Sequence, residues 1–427
     1  MRPGKLLGGA AIVLLALLLL PTGASAAPGS DATIASVDFS VAEDSIAGAT
    51  AMCPSGRVAV GGGVQALDPV GSVNRYRLQF SNPVDETGQT AQTASGDTPR
   101  GWTGYMANIG GGTVQIRTYA ICSATSDATL EVFDFSPGIG FQTRLVMCDS
   151  GRAIGGGIGV VSTPHDTDYA SASAPVDETG TVAQTASGDI PRGWSAAVYA
   201  NSAPSYHYRT MAICSSGSDA TVQTTSFQAP NSSSESASAV ASCPAGQRAL
   251  SGGVGFDEAY EDFVPPAGGN YRIMYTGPRD AAAGTAAGTQ TGDVARAWYG
   301  EDRYVGGGSS AAVRTLVVCT KDPVVVTPPP DKTPPQTTIT SGPKPKLKKG
   351  KPATFAFASS EAGSRFECKL DDGAAAACTS PLTLKRPKVG RHVFSVTAID
   401  KAGNRDATPA TYSFKVKNKK RKHKGKH

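Results

Sequence analysis

Long apolar segments are absent from this chain after Ala26. No later stretch approaches the roughly 20 apolar residues that a membrane helix requires. No stretch has apolar residues at helical spacing, and only 18% of the 427 residues are charged. Short alternating runs recur instead, separated by turns drawn from 50 Gly and 29 Pro together with Asp and Asn. This pattern predicts an all-β protein with room for several domains of about 100–150 residues.

The motifs of common enzymes are also missing. The chain contains no Gly-x-Ser-x-Gly, no His-Glu-x-x-His and no Cys-x-x-Cys, and none of its five histidines recurs at a fixed place. Its repeated carboxylate pairs, Asp85/Glu86 and Asp177/Glu178, are adjacent residues, which point to opposite faces of a strand. We therefore predict a protein that is not an enzyme and holds neither a cofactor nor a metal.

The N-terminal segment, 1–26, is typical of a secretory signal peptide. Arg2 and Lys5 precede an apolar segment, Ala10–Leu20, and Ala24-Ser25-Ala26 forms a small-x-small cleavage site. The mature protein is expected to be water-soluble, without a membrane span, and extracellular or at the cell surface. Retention of the segment as an uncleaved anchor is the alternative.

Three internal repeats organise most of the mature chain. The segments Pro83–Trp102 and Pro175–Trp194 are identical at 17 of 20 positions, and a looser third copy ends at Gly292–Trp298. Each repeat opens with Ser-Asp-Ala-Thr, continues with a cysteine and a glycine run, carries Gly-Asp-x-x-Arg-x-Trp, and closes with Arg-Thr-x-x-x-Cys. These marks define three β repeats, at residues 30–124, 126–216 and 218–321.

The Gly-Asp-x-x-Arg-x-Trp motif has two interpretations. In the simpler one, Asp and Arg form an ion pair that holds a turn while Trp anchors the fold, packed on the glycine run, where no Cβ intervenes. In the other, Asp and Arg bind sugar hydroxyls while Trp stacks on the sugar, and three copies add avidity. The candidate residues are Asp97, Arg100, Trp102, Asp189, Arg192, Trp194, Asp293, Arg296 and Trp298. The glycine runs lack the lysine and following helix of a phosphate-binding loop.

The segments between the glycine run and this motif differ among the repeats. They are Asn74–Phe80, Pro164–Tyr169 and Asp257–Asn270. Variable segments between constant ones usually form surface loops, where binding specificity resides. We expect ligand differences among the repeats to arise there. The sequence leaves open whether the repeats are separate beads or one pseudo-three-fold unit.

The eight cysteines are expected to form disulfides within single repeats. Each repeat holds two cysteines about 70 residues apart, and such a bridge contributes on the order of 4 kcal/mol by constraining the unfolded chain. The predicted pairs are Cys53–Cys122, Cys148–Cys214, Cys243–Cys319 and Cys368–Cys378.

The repeats resemble a tandem module of secreted actinobacterial and phage-associated proteins of uncharacterised function. The features that carry the resemblance are Cys-Pro-x-Gly, the glycine run, the Trp and the closing apolar strand with its Cys. Repeat two departs from them at Asp149, and repeat three at Ser251 and Ala297. The resemblance implies a disulfide-stabilised framework and says nothing of an activity.

A proline-rich linker, residues 322–335, leads to a small predicted β-sandwich, residues 336–417. The pattern Phe366-x-Cys368-x-Leu370-Asp371, with the later Gly390-x-His392-x-Phe394, resembles bacterial immunoglobulin-like domains of exported proteins. This resemblance implies a spacer or adhesive role. Asp400, Asn404 and Asp406 near its end are expected to bond the backbone of their own turns, with calcium binding as the alternative.

Charge divides the chain into two regions. Residues 27–335 carry a net charge of −12, with arginine as the only cation before Lys321, whereas residues 336–427 carry +15. The basic tail, residues 418–427, is expected to be disordered and includes Lys419, Lys420, Arg421, Lys422, Lys424 and Lys426. It lacks the aromatic residues needed to read a nucleic-acid sequence.

These features predict a secreted, non-enzymatic protein with a structural, adhesive or glycan-binding role. The basic C-terminus would hold it to a cell-wall or other extracellular anionic polymer by long-range attraction. The alternative function is that of an extracellular polysaccharide-acting hydrolase, which requires two carboxyl groups facing each other across a cleft.

Overall fold

The computed structural model of the protein is all-β. It describes residues 26–67, 76–161, 167–201, 207–229, 235–256, 270–281, 284–306, 311–323 and 330–418, and these contain strands and turns without an α-helix. The predicted signal peptide, apart from Ala26, and the tail beyond residue 418 lie outside the described residues. The described part has no helix long and apolar enough to cross a membrane. Among the described residues, those before 325 form one compact unit and those after it a second. We call the described residues 26–323 the head and residues 330–418 the C-terminal sandwich.

Each repeat of the head contributes six strands. Those of repeat one are β1 (Thr33–Val41), β2 (Ser45–Met52), β3 (Val58–Ala66), β4 (Tyr76–Val84), β5 (Gly101–Asn108) and β6 (Val114–Ser123). Those of repeat two are β7 (Thr129–Phe135), β8 (Gly140–Met147), β9 (Arg152–Val160), β10 (Tyr169–Val176), β11 (Gly193–Ala200) and β12 (Tyr208–Ser215). Those of repeat three are β13 (Thr221–Gln228), β14 (Ser236–Ser242), β15 (Gln247–Phe256), β16 (Asn270–Arg279), β17 (Ala297–Gly306) and β18 (Ala312–Lys321).

The repeats are not separate beads, because every sheet of the head contains strands of two repeats. The three six-stranded sheets have the orders β1-β6-β3-β16-β17-β14, β13-β18-β15-β10-β11-β8 and β2-β5-β4-β9-β12-β7. In each sheet three strands of one repeat meet three strands of another. The central pairs are β3 with β16, β15 with β10 and β9 with β4, all antiparallel. The head is therefore one unit with pseudo-three-fold topology.

The repeats also pair in a ring through the Gly-Asp of the repeated motif. The Gly96 N–H donates to the carbonyl of Leu130 in repeat two at 2.8 Å, and the Leu130 N–H donates back to the Asp97 carbonyl at 3.0 Å. Repeat two makes the same pair of bonds to Val222 of repeat three. Repeat three makes it to Ile34 of repeat one, which closes the ring. The apolar residue after each Ser-Asp-Ala-Thr is thus a pairing site for the preceding repeat.

The glycine runs lie where three close approaches coincide. A Cβ atom on the middle glycine, Gly62, Gly156 or Gly252, would overlap the indole of the same repeat's Trp, as predicted. A Cβ on the third glycine, Gly63, Gly157 or Gly253, would overlap a carbonyl of the strand contributed by the neighbouring repeat. Because backbone atoms of the neighbouring strand come this close, only glycine, which has no side chain, fits at these positions.

The first position of the run accounts for the departure in repeat three. A Cβ on Gly61 would overlap the Leu250 carbonyl, and one on Gly155 the Val60 carbonyl. Ser251 takes this place in repeat three, where its hydroxyl donates to the Ile154 carbonyl at 2.6 Å. The strands β3, β9 and β15 thus contact one another cyclically, each through the residue before its glycine run.

The predicted disulfides are confirmed. Cys53–Cys122, Cys148–Cys214, Cys243–Cys319 and Cys368–Cys378 are all formed, and no free cysteine is present. In the head, each bridge joins the residue after the repeat's second strand to its sixth strand. Disulfides of this number are typical of proteins that fold in oxidising compartments outside the cytoplasm.

The C-terminal sandwich has two sheets around a core of phenylalanines. Its strands are β19 (Thr337–Ser341), β20 (Lys346–Lys348), β21 (Ala353–Ser359), β22 (Arg365–Leu370), β23 (Ala376–Cys378), β24 (Leu382–Leu384), β25 (Gly390–Ile399) and β26 (Ala410–Lys417). One sheet has the order β19-β21-β24 and the other β20-β26-β25-β22-β23. Phe355, Phe357, Phe394 and Phe414 are buried between them.

Candidate functional site

The three tryptophans of the repeated motif are structural anchors. Trp102, Trp194 and Trp298 are 2%, 1% and 0% exposed. Each indole N–H donates to a hydroxyl on the neighbouring strand of the same repeat: Ser81 at 2.8 Å, Ser173 at 2.9 Å and Thr276 at 2.6 Å. With both ring faces covered, no indole is available to stack on a sugar. The sugar-stacking interpretation is therefore wrong for these three residues, and the fold-anchoring interpretation describes them.

The aspartates of the motif bind the backbone of their own turn. Asp97, Asp189 and Asp293 each accept, at 2.7 Å, the N–H of the residue three positions earlier. A carboxylate that satisfies a turn N–H in this way fixes the turn that presents Gly-Asp to the next repeat. The carboxylates hold the ring of repeats together indirectly, through backbone geometry.

The expected Asp–Arg ion pair does not form in any of the three described copies. Arg100, Arg192 and Arg296 instead donate to backbone carbonyls in the turn after the first cysteine, at 3.1, 2.6 and 2.6 Å. Arg296 also pairs with Asp322 at 2.6 Å. The prediction failed because the turn carbonyls, lying inside the same repeat, compete for the guanidinium.

The arginine of Arg-Thr-x-x-x-Cys has a role that sequence reasoning missed. Arg117 forms a bidentate pair with Asp38, and hydrogen bonding to that guanidinium lowers the pKa of the Asp38 carboxyl. A second arm of Arg117 donates to the Thr289 carbonyl of repeat three at 2.8 Å. Arg209 and Arg314 reach the loops of repeats one and two in the same way. An aspartate recurs at the same place in repeats one and two, positions 38 and 134, and this recurrence could have identified the partner of the arginine.

The variable segments lie only partly in loops. Residues 76–80 belong to β4, where Leu78, Gln79 and Phe80 are buried, so the loop prediction is wrong there. Tyr169 and Asn270 likewise begin strands. Residues 74–75, 164–166 and 257–269 lie outside the described residues. The error arose because variable core residues and variable loop residues look alike in one sequence.

A shallow surface cavity in repeat two brings the carboxylate pair to the repeated motif. Asp177, Glu178, Asp189, Ile190 and Arg192 line a volume of about 180 Å³. Asp177 already accepts the Thr179 N–H at 2.9 Å. This volume is small beside the roughly 300–1,000 Å³ of typical ligand pockets. The predicted opposite orientation of adjacent residues does not keep Asp177 and Glu178 from lining one cavity.

Repeat three carries buried charges where the other repeats are mainly apolar. Glu301 and Asp302 lie three and four residues after Trp298, at the positions of Tyr105 and Met106 in repeat one. Burial raises the pKa of Asp302 well above its usual range and also raises that of Glu301, which accepts from Ser236 at 2.5 Å and from Tyr299 at 2.6 Å.

Arginines lie close to this buried group. Burial, with the nearby Arg77 and Arg303, lowers the pKa of Arg272 to about 9. Acidic residues at positions that are apolar in the other repeats were a signal that sequence reasoning did not use.

The oxygen-rich turn of the C-terminal sandwich has the predicted local backbone bonds, and in addition Asp406 and Asn404 bond backbone groups of residues 337 and 331, which the prediction did not include. Asp400 accepts the Asn404 N–H at 2.7 Å, and Asp406 accepts the Thr337 and Thr408 N–H groups at 2.6 and 2.8 Å. The pKa of Asp406 is lowered to about 2, despite burial, because these hydrogen bonds favour its charged form. The carboxylates that do converge, within 4.8 Å, are those of Asp331, Glu361 and Asp400.

His392 lies between two hydrogen-bond acceptors in the C-terminal sandwich. Its Nδ1 lies 2.7 Å from Asp371 and its Nε2 lies 2.8 Å from the Lys388 carbonyl, and both partners are acceptors. The hydrogen bond to Asp371, and then that to Lys388, raises the pKa of His392 above its usual value.

This pair makes the stability of the C-terminal sandwich depend on pH. A raised folded-state pKa means that the stabilisation is complete below the unfolded pKa of His, about 6.5, and is lost as pH rises through the folded pKa. Between pH 6 and pH 8.5 the thermal unfolding midpoint of the sandwich should fall. His392→Gln should remove the part of this decrease that deprotonation of His392 causes. Equal slopes in the two proteins, measured by thermal unfolding across pH, would contradict this assignment.

Comparison with known proteins yields no family. No family model matches the chain, and no curated protein does. The chain is similar to the extracellular domain of a putative hybrid two component system from B. thetaiotaomicron (13% identity, TM-score 0.17), over 26% of this chain and 18% of that one. It is also similar to fibronectin(III)-like modules of Clostridium thermocellum CbhA (16% identity, TM-score 0.18), over 40% of this chain and 87% of those modules. Scores this low carry no argument about function.

Proposed function

We propose that the protein is a secreted, non-enzymatic surface protein whose acidic head is displayed by a basic, polyanion-attached C-terminal region. The four disulfides support an extracytoplasmic location. In the head, the repeated motif residues are used to close and anchor the fold, which supports a structural or adhesive role.

The observation that carries this proposal is the separation of charge along the chain. Residues 27–335 carry a net charge of −12, and residues 336–427 carry +15. A basic region of this density attracts anionic polymers over a Debye length, about 8 Å at physiological salt. The opposite charge of the head directs it away from the same polymer. The resemblance of the C-terminal segment to immunoglobulin-like domains supports its role as a spacer.

Retention on cell envelopes at increasing salt tests the proposal. Full-length protein should be retained at low ionic strength and released as salt rises, because the attachment consists of screened charge contacts. Neutralising the tail residues Lys419, Lys420, Arg421, Lys422, Lys424 and Lys426 should lower the salt concentration needed for release. Retention that is equal at low and high salt would overturn the proposal.

The second candidate function is polysaccharide hydrolysis at the cavity in repeat two. The observation that favours it is the grouping of Asp177, Glu178 and Asp189 around one volume. Release of reducing sugar from a glycan panel, abolished by Asp189→Asn, would establish it in place of the non-enzymatic role. Glycan binding without turnover would favour the adhesive role.

A further inference from the structure

The fold brings the two lysine runs of the C-terminal region together on one sheet. Lys346 and Lys348 on β20 pair in parallel with Lys415 and Lys417 on β26, although the partners come from opposite ends of the sandwich sequence. Lys415 pairs on its other side with Arg391 of β25. These five residues form what we call the lysine ladder. Neighbouring strands lie about 4.8 Å apart, and alternate residues of one strand roughly 7 Å apart.

All five side chains of the lysine ladder face the solvent. The residues between them, Leu347 on β20 and Val416 on β26, point inward and pack in the phenylalanine core. Because side chains alternate across a strand, the lysines on either side of these two residues share the outer face. All five ladder residues are exposed.

Such an arrangement destabilises the sheet unless something compensates for it. Like charges directly opposite each other on neighbouring strands are unfavourable. Within residues 330–418, none of the ladder cations forms an ion pair. Asp371, whose carboxylate lies beside this end of β25, accepts the Val393 N–H and pairs with His392. Water and salt ions screen this repulsion only in part, and a polyanion lying along the strands would neutralise it more fully.

A groove at the ladder gives an anion a place to lie. Its volume is about 410 Å³, and its lining includes Pro345, Arg391, Val393, Ser413 and Lys415. Two ladder cations therefore line this groove directly. A chain lying in it continues over Lys346, Lys348 and Lys417, which are one or two strand positions away.

The chemistry of the ladder selects among polyanions. Four of its five cations are lysines, whose compact ammonium groups bind phosphate as point charges. Arg391 alone offers the planar fork that binds carboxylate or phosphate through two hydrogen bonds. The outward positions beside them on β25 and β26 are Val393, Ser395, Thr411 and Ser413. The two aromatic residues that also line the groove, His392 and Phe414, are only 9% and 3% exposed, so bases have little surface on which to stack.

We propose that the lysine ladder is a binding surface for linear phosphate polymers that carry no bases. The inference rests on the proposed function, since it assigns a partner class to the basic C-terminal region. It adds that a folded surface, and not the tail alone, makes the contact.

Binding of linear polyphosphate to the full-length protein tests the ladder. Replacing Lys346, Lys348, Lys415 and Lys417 by Gln should weaken binding roughly tenfold or more and reduce the slope of log K against log salt by about 3. The matched control replaces Lys332, Lys385, Arg386 and Lys401 by Gln, which removes the same charge away from β20 and β26. This control should change affinity little and keep the thermal midpoint of the sandwich. The ladder variant should be at least as stable as the native protein, because it loses the repulsion between lysines on neighbouring strands.

The outcomes separate this inference from the proposed function. If the ladder and control variants lose polyphosphate affinity equally, only net charge matters. That result overturns the ladder as a binding surface and leaves envelope attachment intact. Affinity that falls only when the six tail cations are neutralised also overturns the ladder and leaves envelope attachment intact. No salt-sensitive binding in any variant overturns both. Tighter binding of single-stranded DNA than of polyphosphate of equal charge would replace the proposed partner with nucleic acid.

Discussion

Replacing Trp102 by alanine is expected to lower the free energy of unfolding of the head by roughly 3–5 kcal/mol. The indole is fully enclosed, lies on Gly62 and donates its N–H to Ser81 at 2.8 Å. The glycine has no side chain that can move into the cavity, so the space stays empty. Chemical denaturation followed by tryptophan fluorescence from the two remaining indoles measures the loss.

Two variants separate the loss of a buried indole from the loss of an aromatic ring in general and from the loss of its hydrogen bond. Phe133 is 47% exposed on β7, and Phe133→Ala should alter stability by no more than about 0.5 kcal/mol. Trp102→Phe keeps an aromatic ring but leaves the Ser81 hydroxyl without the indole donor, so an intermediate loss of about 1–3 kcal/mol is expected. An alanine variant as stable as the native protein, with altered glycan binding, would restore the interpretation of Trp102 as a ligand contact.

The second large effect is expected at the contact between repeats. Gly157→Ala places a Cβ atom against the Ser81 carbonyl and 2.9 Å from the Asn82 Cα, both on β4 of repeat one. Neither backbone atom can rotate away as a side chain does, so the central pair of that sheet must separate. The expected cost is about 1–3 kcal/mol or more, as for overpacked cores.

Gly138 supplies the matched control for this substitution. A Cβ added there meets no atom within 4 Å, and its φ lies outside the range that side chains avoid. Gly138→Ala should therefore be neutral or slightly stabilising. Equal thermal midpoints for Gly157→Ala and Gly138→Ala would show that the strands of repeats one and two do not meet as described.

The parts of the fold that were predictable are those encoded within one repeat. The cysteine pairs followed from two cysteines per repeat, and the packing of Trp on glycine followed from an otherwise unexplained glycine run. Each of these contacts joins residues of one repeat that the sequence marks three times. These contacts were predictable because the same residues recur in three repeats, and not because of the secondary-structure propensity of any residue.

The exchange of strands between repeats could not be predicted for a related reason. The pairing of β9 with β4 in place of a strand of repeat two is a choice between chemically similar partners. It depends on backbone approach at Gly157 and on the ring of bonds from Gly96 to Leu130 and its equivalents. Near-identical repeats offer near-identical pairing partners. The sequence alone therefore does not distinguish strands that pair within one repeat, as in separate beads, from strands that pair between repeats.

The candidate site was misjudged where backbone groups compete with side chains. Asp97 and Arg100 have complementary charges at a turn spacing, and an ion pair was the simplest expectation. Each binds a backbone group instead, because turns leave N–H and carbonyl groups that require partners. Similarly, the convergence of Lys346 and Lys415 depends on a parallel pairing of strands distant in the sequence, which a pattern in either lysine run does not show.

The central claim is that three repeats form one closed body, and amide hydrogen exchange in the Trp102→Ala protein tests it most directly. The account predicts that amides of β6 in repeat one, β12 in repeat two and β18 in repeat three lose protection together, because each sheet joins two repeats. Loss of protection confined to repeat one, with β12 and β18 unchanged, would contradict it and show three independent beads.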